Sequence, residues 1–113
     1  MKTVIAGGRS FLDYQLMRES LDNLDWTITE VVSGTASGAD TFGEIYAKSK
    51  DISVKRMPAD WNQYGRSAGP RRNEDMAKYA DACVVFWDGK SRGTQHMINF
   101  ANKHKCRLKI IKY

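Results

Sequence analysis

Three glycine-rich stretches are spaced so that they could offer backbone amides to an anion: Gly7-Gly8-Arg9-Ser10, the run Ser33-Gly34-Thr35-Ala36-Ser37-Gly38-Ala39-Asp40, and Gly89-Lys90-Ser91-Arg92-Gly93-Thr94. Glycine allows close approach of the backbone, and a helix beginning behind such a stretch aims unpaired amides and a positive dipole at it, which suits phosphate. Arg9, Arg71, Arg72 and Arg92 lie in or near these segments. Charge-assisted hydrogen bonds contribute ~1.5–3 kcal/mol each, so a few amides and one arginine reach the ~8 kcal/mol of a micromolar site. Neither the dinucleotide fingerprint nor the P-loop sequence is present, and Gly7-Gly8 alone reads equally well as a tight turn. The three stretches taken together predict a phosphate-bearing ligand.

The elements that must position these loops follow from periodicity. Lys2 to Ala6 reads as a short apolar strand, and Tyr14, Met17, Leu21 and Leu24 then recur at helical spacing. Val31-Val32 leads into the second glycine run, after which Ala39, Phe42 and Tyr46 share a helical face. Ser37 and Asp40 have capping-box spacing, which predicts a helix start at Ser37 with free amides toward the loop. Val54 to Met57 makes a third strand, and Pro58 to Gly69 a long connection containing Trp61 and Tyr64. Pro70 suits the opening turn of the next helix, which carries Arg71, Arg72 and Asn73. Adjacent helical positions point apart, so one of the two arginines meets ligand and the other solvent. Ala82 to Trp87 is apolar throughout, as a strand covered on both faces should be, and Thr94 is expected to cap the last helix before a closing strand, Arg107 to Ile111.

Five strands alternating with four helices predict a Rossmann-like three-layer α/β fold, one domain over residues 1–113, with a parallel sheet in the order 3-2-1-4-5. Ligands in such sheets bind beyond the strands' carboxyl ends where the winding reverses, here between the first and fourth strands. The 113 residues, 42% hydrophobic and 27% charged, match an ordinary globular domain rather than a disordered, collagenous or rod-like chain. No apolar run approaches the ~20 residues that span a bilayer, and the opening residues lack a secretory core, so a cytoplasmic protein without membrane contact is expected. Two cysteines are too few for a disulfide framework, and His96 and His104 have no metal-ligand spacing, so no metal or other cofactor is expected and both histidines read as surface residues. Eighteen Lys and Arg against 13 Asp and Glu give +5, which favours anionic partners. Much of that excess lies in Lys103, Lys105, Arg107, Lys109 and Lys112, where it reads as a solvated surface.

Gly7-Gly8-Arg9, the Ser33–Asp40 run, Pro58-Ala59-Asp60-Trp61, Ala68-Gly69-Pro70-Arg71-Arg72-Asn73-x-x-Met76 and Asp88-Gly89-Lys90-Ser91-Arg92-Gly93-Thr94 together resemble the YspA-like branch of the SLOG superfamily, over nearly the whole chain. That resemblance implies the same fold and a nucleotide-like ligand. The superfamily includes lonely-guy phosphoribohydrolases, single-strand-binding DNA-processing proteins, and sensor domains for nucleotide-derived signals such as cyclic ADP-ribose isomers. The lonely-guy enzymes take a catalytic arginine from an R-K-x-x-M segment and a glutamate from P-G-G-x-G-T-x-x-E. Here Arg72-Asn73-Glu74-Asp75-Met76 keeps the arginine and Gly93-Thr94 keeps part of the second segment, but Met97 stands at the glutamate's position. Glycosidic cleavage needs a carboxylate to stabilise the oxocarbenium-like state or activate water, and methionine does neither.

The resulting expectation is a protein that senses or sequesters a nucleotide or ADP-ribose-like molecule without turning it over. Its expected ligand contacts are Gly7, Gly8, Arg9, Ser33, Gly34, Ser37, Gly38, Asp40, Arg72, Asn73, Gly89, Ser91, Arg92, Gly93 and Thr94. Asp40 is a candidate for a ribose hydroxyl, and Trp61 and Tyr64 read equally as base-stacking groups or as core cover. A phosphoribohydrolase using Asp40, Asp60 or Glu74 instead is the second reading, and single-stranded nucleic-acid binding through the basic end and loop aromatics is the third. Related proteins are commonly dimers or larger, so a homo-oligomer is expected.

Overall fold

A computed structural model describes all residues, 1–113. Thr3 to Ala6, within strand β1 (Lys2–Gly7), are all buried, as are Ala82 to Phe86 in β4 (Ala82–Trp87). Apolar residues at consecutive positions satisfy a strand only when layers cover both of its faces, and these two strands lie side by side at the centre. They pair in parallel from Thr3 opposite Ala82 to Gly7 opposite Phe86. With β2 (Glu30–Ser33), β3 (Ser53–Arg56) and β5 (Arg107–Lys112) they form an all-parallel sheet in the order β3-β2-β1-β4-β5. This is the Rossmann-like α/β arrangement expected from the sequence.

Alternate residues of the central strands feed two separate cores. Val4, Ala6, Cys83 and Val85 pack with residues of α4 (Ala68–Tyr79) and α5 (Arg92–Lys103), including Met76, Met97 and Ile98. Ile5, Val84 and Phe86 pack on the other face with Met17 and Leu21 of α1 (Tyr14–Asp22) and Tyr46 of α2 (Ala39–Ser49). Full burial of each large side chain, such as Phe11, Phe86, Met17 or Met97, contributes ~1.5–3 kcal/mol. Both cysteines are free. No helix is long and apolar enough to cross a membrane.

The edge strands β3 and β5 are mostly exposed and carry Lys55, Arg56, Arg107, Lys109 and Lys112. Charge on an edge opposes pairing with another chain. Several basic groups are also held locally: Arg107 meets Asp25 at 2.6 Å, Arg56 meets Glu44 at 2.7 Å and Lys103 meets Glu74 at 2.8 Å. The basic carboxyl-terminal segment is therefore surface charge on an edge strand and the end of α5, as its composition suggested.

Several helix starts differ from expectation. α2 begins at Ala39 behind an N-cap Gly38, not at Ser37. Ser37 Oγ donates to Arg9 O at 3.4 Å instead of capping, and the Asp40 carboxylate reaches back to the amide of Ala36 at 3.1 Å. The reason is tertiary: Ala39 N–H donates to Gly8 O at 3.2 Å, so the turn after β1 occupies the place where a capping side chain would sit. The 58–69 connection is partly helical, because the Asp60 carboxylate caps a short α3 (Trp61–Tyr64) by accepting from Gln63 N at 3.1 Å. A 3-10 turn, Gly65–Ser67, then runs directly into α4, with Pro70 in the first turn of that helix as expected. Ser91, not Thr94, is the N-cap of α5; its Oγ accepts from Thr94 N at 3.4 Å.

Gly38 has φ +73°, and a Cβ there would lie 2.3 Å from Gly8 O and 2.4 Å from Arg9 O. Gly93, in the first turn of α5, has open space at the same position. Gly38→Ala is therefore expected to cost ~2 kcal/mol or more, whereas Gly93→Ala in a helix is expected to be neutral or stabilising by up to ~1 kcal/mol. Urea unfolding of the two variants followed by tryptophan fluorescence checks this, and similar midpoints for both would contradict it.

Candidate functional site

The carboxyl ends of β1 and β4 open into a cavity of about 450 Å³, between the elements expected to frame a ligand. Its floor comes from Ala6, Gly7 and Gly8, with Met76 and Met97 fully buried below. Gly7 is required there by contact: a Cβ would meet Phe86 O at 2.4 Å and the Ala39 side chain at 2.9 Å. Arg9 and Ser10 form one lip, and α4 contributes Gly69, Pro70, Arg72 and Asn73. The opposite wall is Asp88 with Ser91, Gly93, Thr94 and His96 of the α5 start.

Besides the start of α4, which continues from a 3-10 turn, the N-termini of α2 and α5 face this rim, and they differ in what they hold. At α2 the Ala39 amide is bonded to Gly8 O and the Ala36 amide before the helix is bonded to Asp40, so this end fastens the β1–α1 turn. At α5 Ser91 satisfies Thr94, while the amides of Arg92 and Gly93 have no acceptor within the protein. The open helix dipole at the cavity is that of α5. Asp88 shapes this start, because its carboxylate accepts from Lys90 N at 2.8 Å and Ser91 N at 2.9 Å. Those amides, Ser91 first, hold its pKa below the usual carboxylate value.

Arg72 is half-buried and oriented by two contacts, with Nη1 donating to Gly34 O and Nε donating to Asn73 Oδ1 at 2.8 Å. Asn73 in turn donates to Gly93 O at 3.4 Å, which ties α4 to the first turn of α5. A Cβ at Gly34 would lie 2.7 Å from Arg72 Nη1 and 2.8 Å from Asp40 Oδ2, so a side chain there would wedge the two charged groups apart. Burial lowers the Arg72 pKa, with the nearby Arg9 charge acting the same way and Asp40 opposing. Neither Arg9 nor Arg72 forms an ion pair, unlike Arg56 and Arg107.

Asp40 is only 6% exposed and lines the cavity. Its Oδ2 accepts from Ala36, and no donor in the protein reaches the other oxygen. Burial raises its pKa against the opposing effects of the Ala36 amide, Arg72 and Arg9. A carboxylate oxygen in that setting is an acceptor for a ligand's hydroxyl or amino group.

The sequence-derived contacts thus separate by position. Gly7, Gly8, Arg9, Asp40, Arg72, Asn73, Ser91, Gly93 and Thr94 come together at the main cavity. Gly34 and Ser37 border a neighbouring hollow. Ser33 is buried under the second glycine run, donating to Glu44 at 2.6 Å; Gly38 is packed against the Gly8 and Arg9 carbonyls. Gly89 forms the turn after β4 with φ +86°, and Arg92 is exposed, both outside the cavity lining. Trp61 lies at the mouth, half exposed, whereas Tyr64 lies under the Arg71 guanidinium at 4.4 Å.

His96 is exposed, as expected, but lies on the cavity lining, where it was not anticipated. It stands next to Met97 on α5, and no glycine or charge marked it in the sequence. Of the carboxylates weighed as stand-ins for the missing glutamate, Asp60 is committed to capping α3. Glu74 is turned toward the end of α5, where Lys103 and His104 pull its pKa down to about 2. Asp40 alone of the three reaches the cavity. No three His, Cys, Asp or Glu side chains converge as a metal set.

Comparison with known proteins places this arrangement. The family described as YspA, cpYpsA-related SLOG family matches residues 1–64, more than half of the chain. The chain belongs to this SLOG family. The matched segment supplies the first two glycine loops, Asp40 and Trp61; Arg72 and the α5 start come from the remainder. The chain is also similar to the "Gene 61 protein" of Mycobacterium phage D29, 35% identical over 79 residues that cover 65% of this chain and 63% of that one. It therefore spans less than two thirds of that relative's length. No solved structure matches.

Asp40 yields a pH-dependent expectation. Its folded-state pKa is raised, so the ionised form opposes folding at neutral pH and the opposition fades as pH falls through the folded value toward the unfolded one. Asp40→Asn keeps an acceptor for the Ala36 amide without the charge. The variant is expected to melt above wild type at pH 7, with the difference shrinking on acidification. Calorimetric scans across that range check it; a difference that grows on acidification would contradict it.

Proposed function

We propose that this SLOG-family protein binds a nucleotide or nucleotide-derived anion in the cavity between β1 and β4 and releases it unchanged. The observation that carries this reading is the pair of guanidiniums without a carboxylate at ion-pair distance, Arg9 and Arg72, sharing one polar cavity with the open amides of α5. Phosphate suits that set because it accepts from amides and arginine together. Asp40 would be repelled by phosphate and needs a donor, which the ribose of a nucleotide supplies next to its phosphate. Trp61 at the mouth offers a face for a base.

Absence of turnover follows from what the groups can do during bond cleavage. Amides and arginines hold phosphate equally before and during glycosidic cleavage, and uniform binding of that kind lowers no barrier. Met97 supplies no charge, Asp60, Glu74 and Asp88 are each committed to partners within the protein, and Asp40, the carboxylate that does line the cavity, is taken up in this reading by a ribose hydroxyl. A sensing or sequestering role agrees with this chemistry better than hydrolysis does.

At a hundredfold excess over Kd a ligand adds ~2.7 kcal/mol to stability, which for a domain of this size raises Tm on the order of 10 °C. A screen of mono-, di- and cyclic nucleotides is expected to contain such compounds. Arg9→Ala, at an exposed position, is expected to melt like wild type and to lose the rise. Chromatography of the same mixtures is expected to show no free base or ribose phosphate. Absence of any shift at millimolar ligand would remove the binding claim; base release that stops in Arg72→Ala would remove the claim of no turnover.

A further inference from the structure

The cavity does not end at Trp61. A second hollow of about 440 Å³ lies beyond it, formed by the 34–37 turn and by Pro58-Ala59. Four residues border both spaces: Arg9, Ala36, Trp61 and Arg72. The boundary is thus a ridge with two guanidiniums and one indole, and the spaces on either side are of nearly equal size.

The residues of this ridge are held in place. Arg72 is fixed by Gly34 O and Asn73, and the Trp61 ring rests where Gly69 has no side chain, 3.3 Å from the position a Cβ would take. Trp61 nevertheless stays 50% exposed on a four-residue helix. The Arg9 charge lies near enough to act against that of Arg72, less strongly than Asp40 acts in its favour, and neither arginine has a carboxylate at ion-pair distance. An anion lying across both would relieve that repulsion, and one attached to groups on both sides would fill both hollows.

We propose that the two hollows form one trough for a ligand with two nucleoside-sized halves joined through phosphate, the phosphate bridge lying over the ridge between Arg9 and Arg72. One half occupies the main cavity, where Asp40 accepts a hydroxyl. The other enters the second hollow, where its base stacks on Trp61. This rests on the reading of the site as nucleotide-binding and names the ligand class within it. The same chemistry is offered by a free dinucleotide and by two adjacent nucleotides of a single strand.

Titration calorimetry of the full chain with AMP, diadenosine diphosphate and a ten-residue oligothymidylate tests the trough. Diadenosine diphosphate is expected to bind at least tenfold more tightly than AMP. Ala59→Trp, which fills only the second hollow, is expected to erase that advantage and leave AMP affinity within twofold. Pro58→Phe does the same from a neighbouring exposed position should Ala59→Trp fail to fold. Tight binding of the oligonucleotide, equally sensitive to Ala59→Trp, would support the trough and assign its phosphate bridge to a nucleic-acid strand. Equal affinity for AMP and for both longer ligands would overturn the trough and leave nucleotide binding standing. Absence of binding by all three would overturn both.

Discussion

The turn after β1 and the first turn of α2 meet backbone to backbone, and the rim of the sheet is built on that contact. Gly8 O accepts from both Phe11 N and Ala39 N at 3.2 Å, while Gly8 N donates to Phe86 O at 3.3 Å. One residue thereby joins β1, α2 and β4. Gly38 sits so close beneath the Gly8 and Arg9 carbonyls that no Cβ fits between them. Buried backbone groups must be paired, and pairing at this spacing leaves room only for glycine. The backbone at Arg9 is fixed as a result, so its side chain emerges at the lip of the cavity.

That contact also decides which helix end faces a ligand. The α2 amides that a glycine-rich loop would offer to phosphate are partly committed to the protein's own carbonyl and carboxylate oxygens. The α5 end is prepared by Ser91 and by the turn that Asp88 holds, and its first two amides stay open. The open amides therefore lie on one side of the cavity, at the start of α5.

The charges around the cavity are arranged at some cost to the folded state. Burial raises the Asp40 pKa and lowers that of Arg72, and neither Arg72 nor Arg9 has a carboxylate at ion-pair distance. Ion pairs do occur elsewhere in the chain, as with Arg107 and Asp25 or Glu74 with Lys103 and His104. A ligand with an anionic centre and donor groups beside it answers both the guanidiniums and the carboxylate.

The sequence by itself determined the alternation of strands and helices, the buried pair β1 and β4 and the sheet order, because periodicity and short-range punctuation are local properties. Helical spacing separated Arg71 from Arg72, and the family resemblance pointed to Arg72, the one that lines the cavity. Only the tertiary structure decided that Ser37 would not cap α2, that Ser33 would serve Glu44 rather than the cavity, and that His96 would line it. Capping is a competition for an amide, and at Ala39 a carbonyl from a distant turn takes it. Nothing near residue 37 encodes that rival. The ridge shared by two hollows is likewise invisible along the chain, because Arg9, Ala36, Trp61 and Arg72 come from four separate segments that adjoin one another only when the sheet has closed.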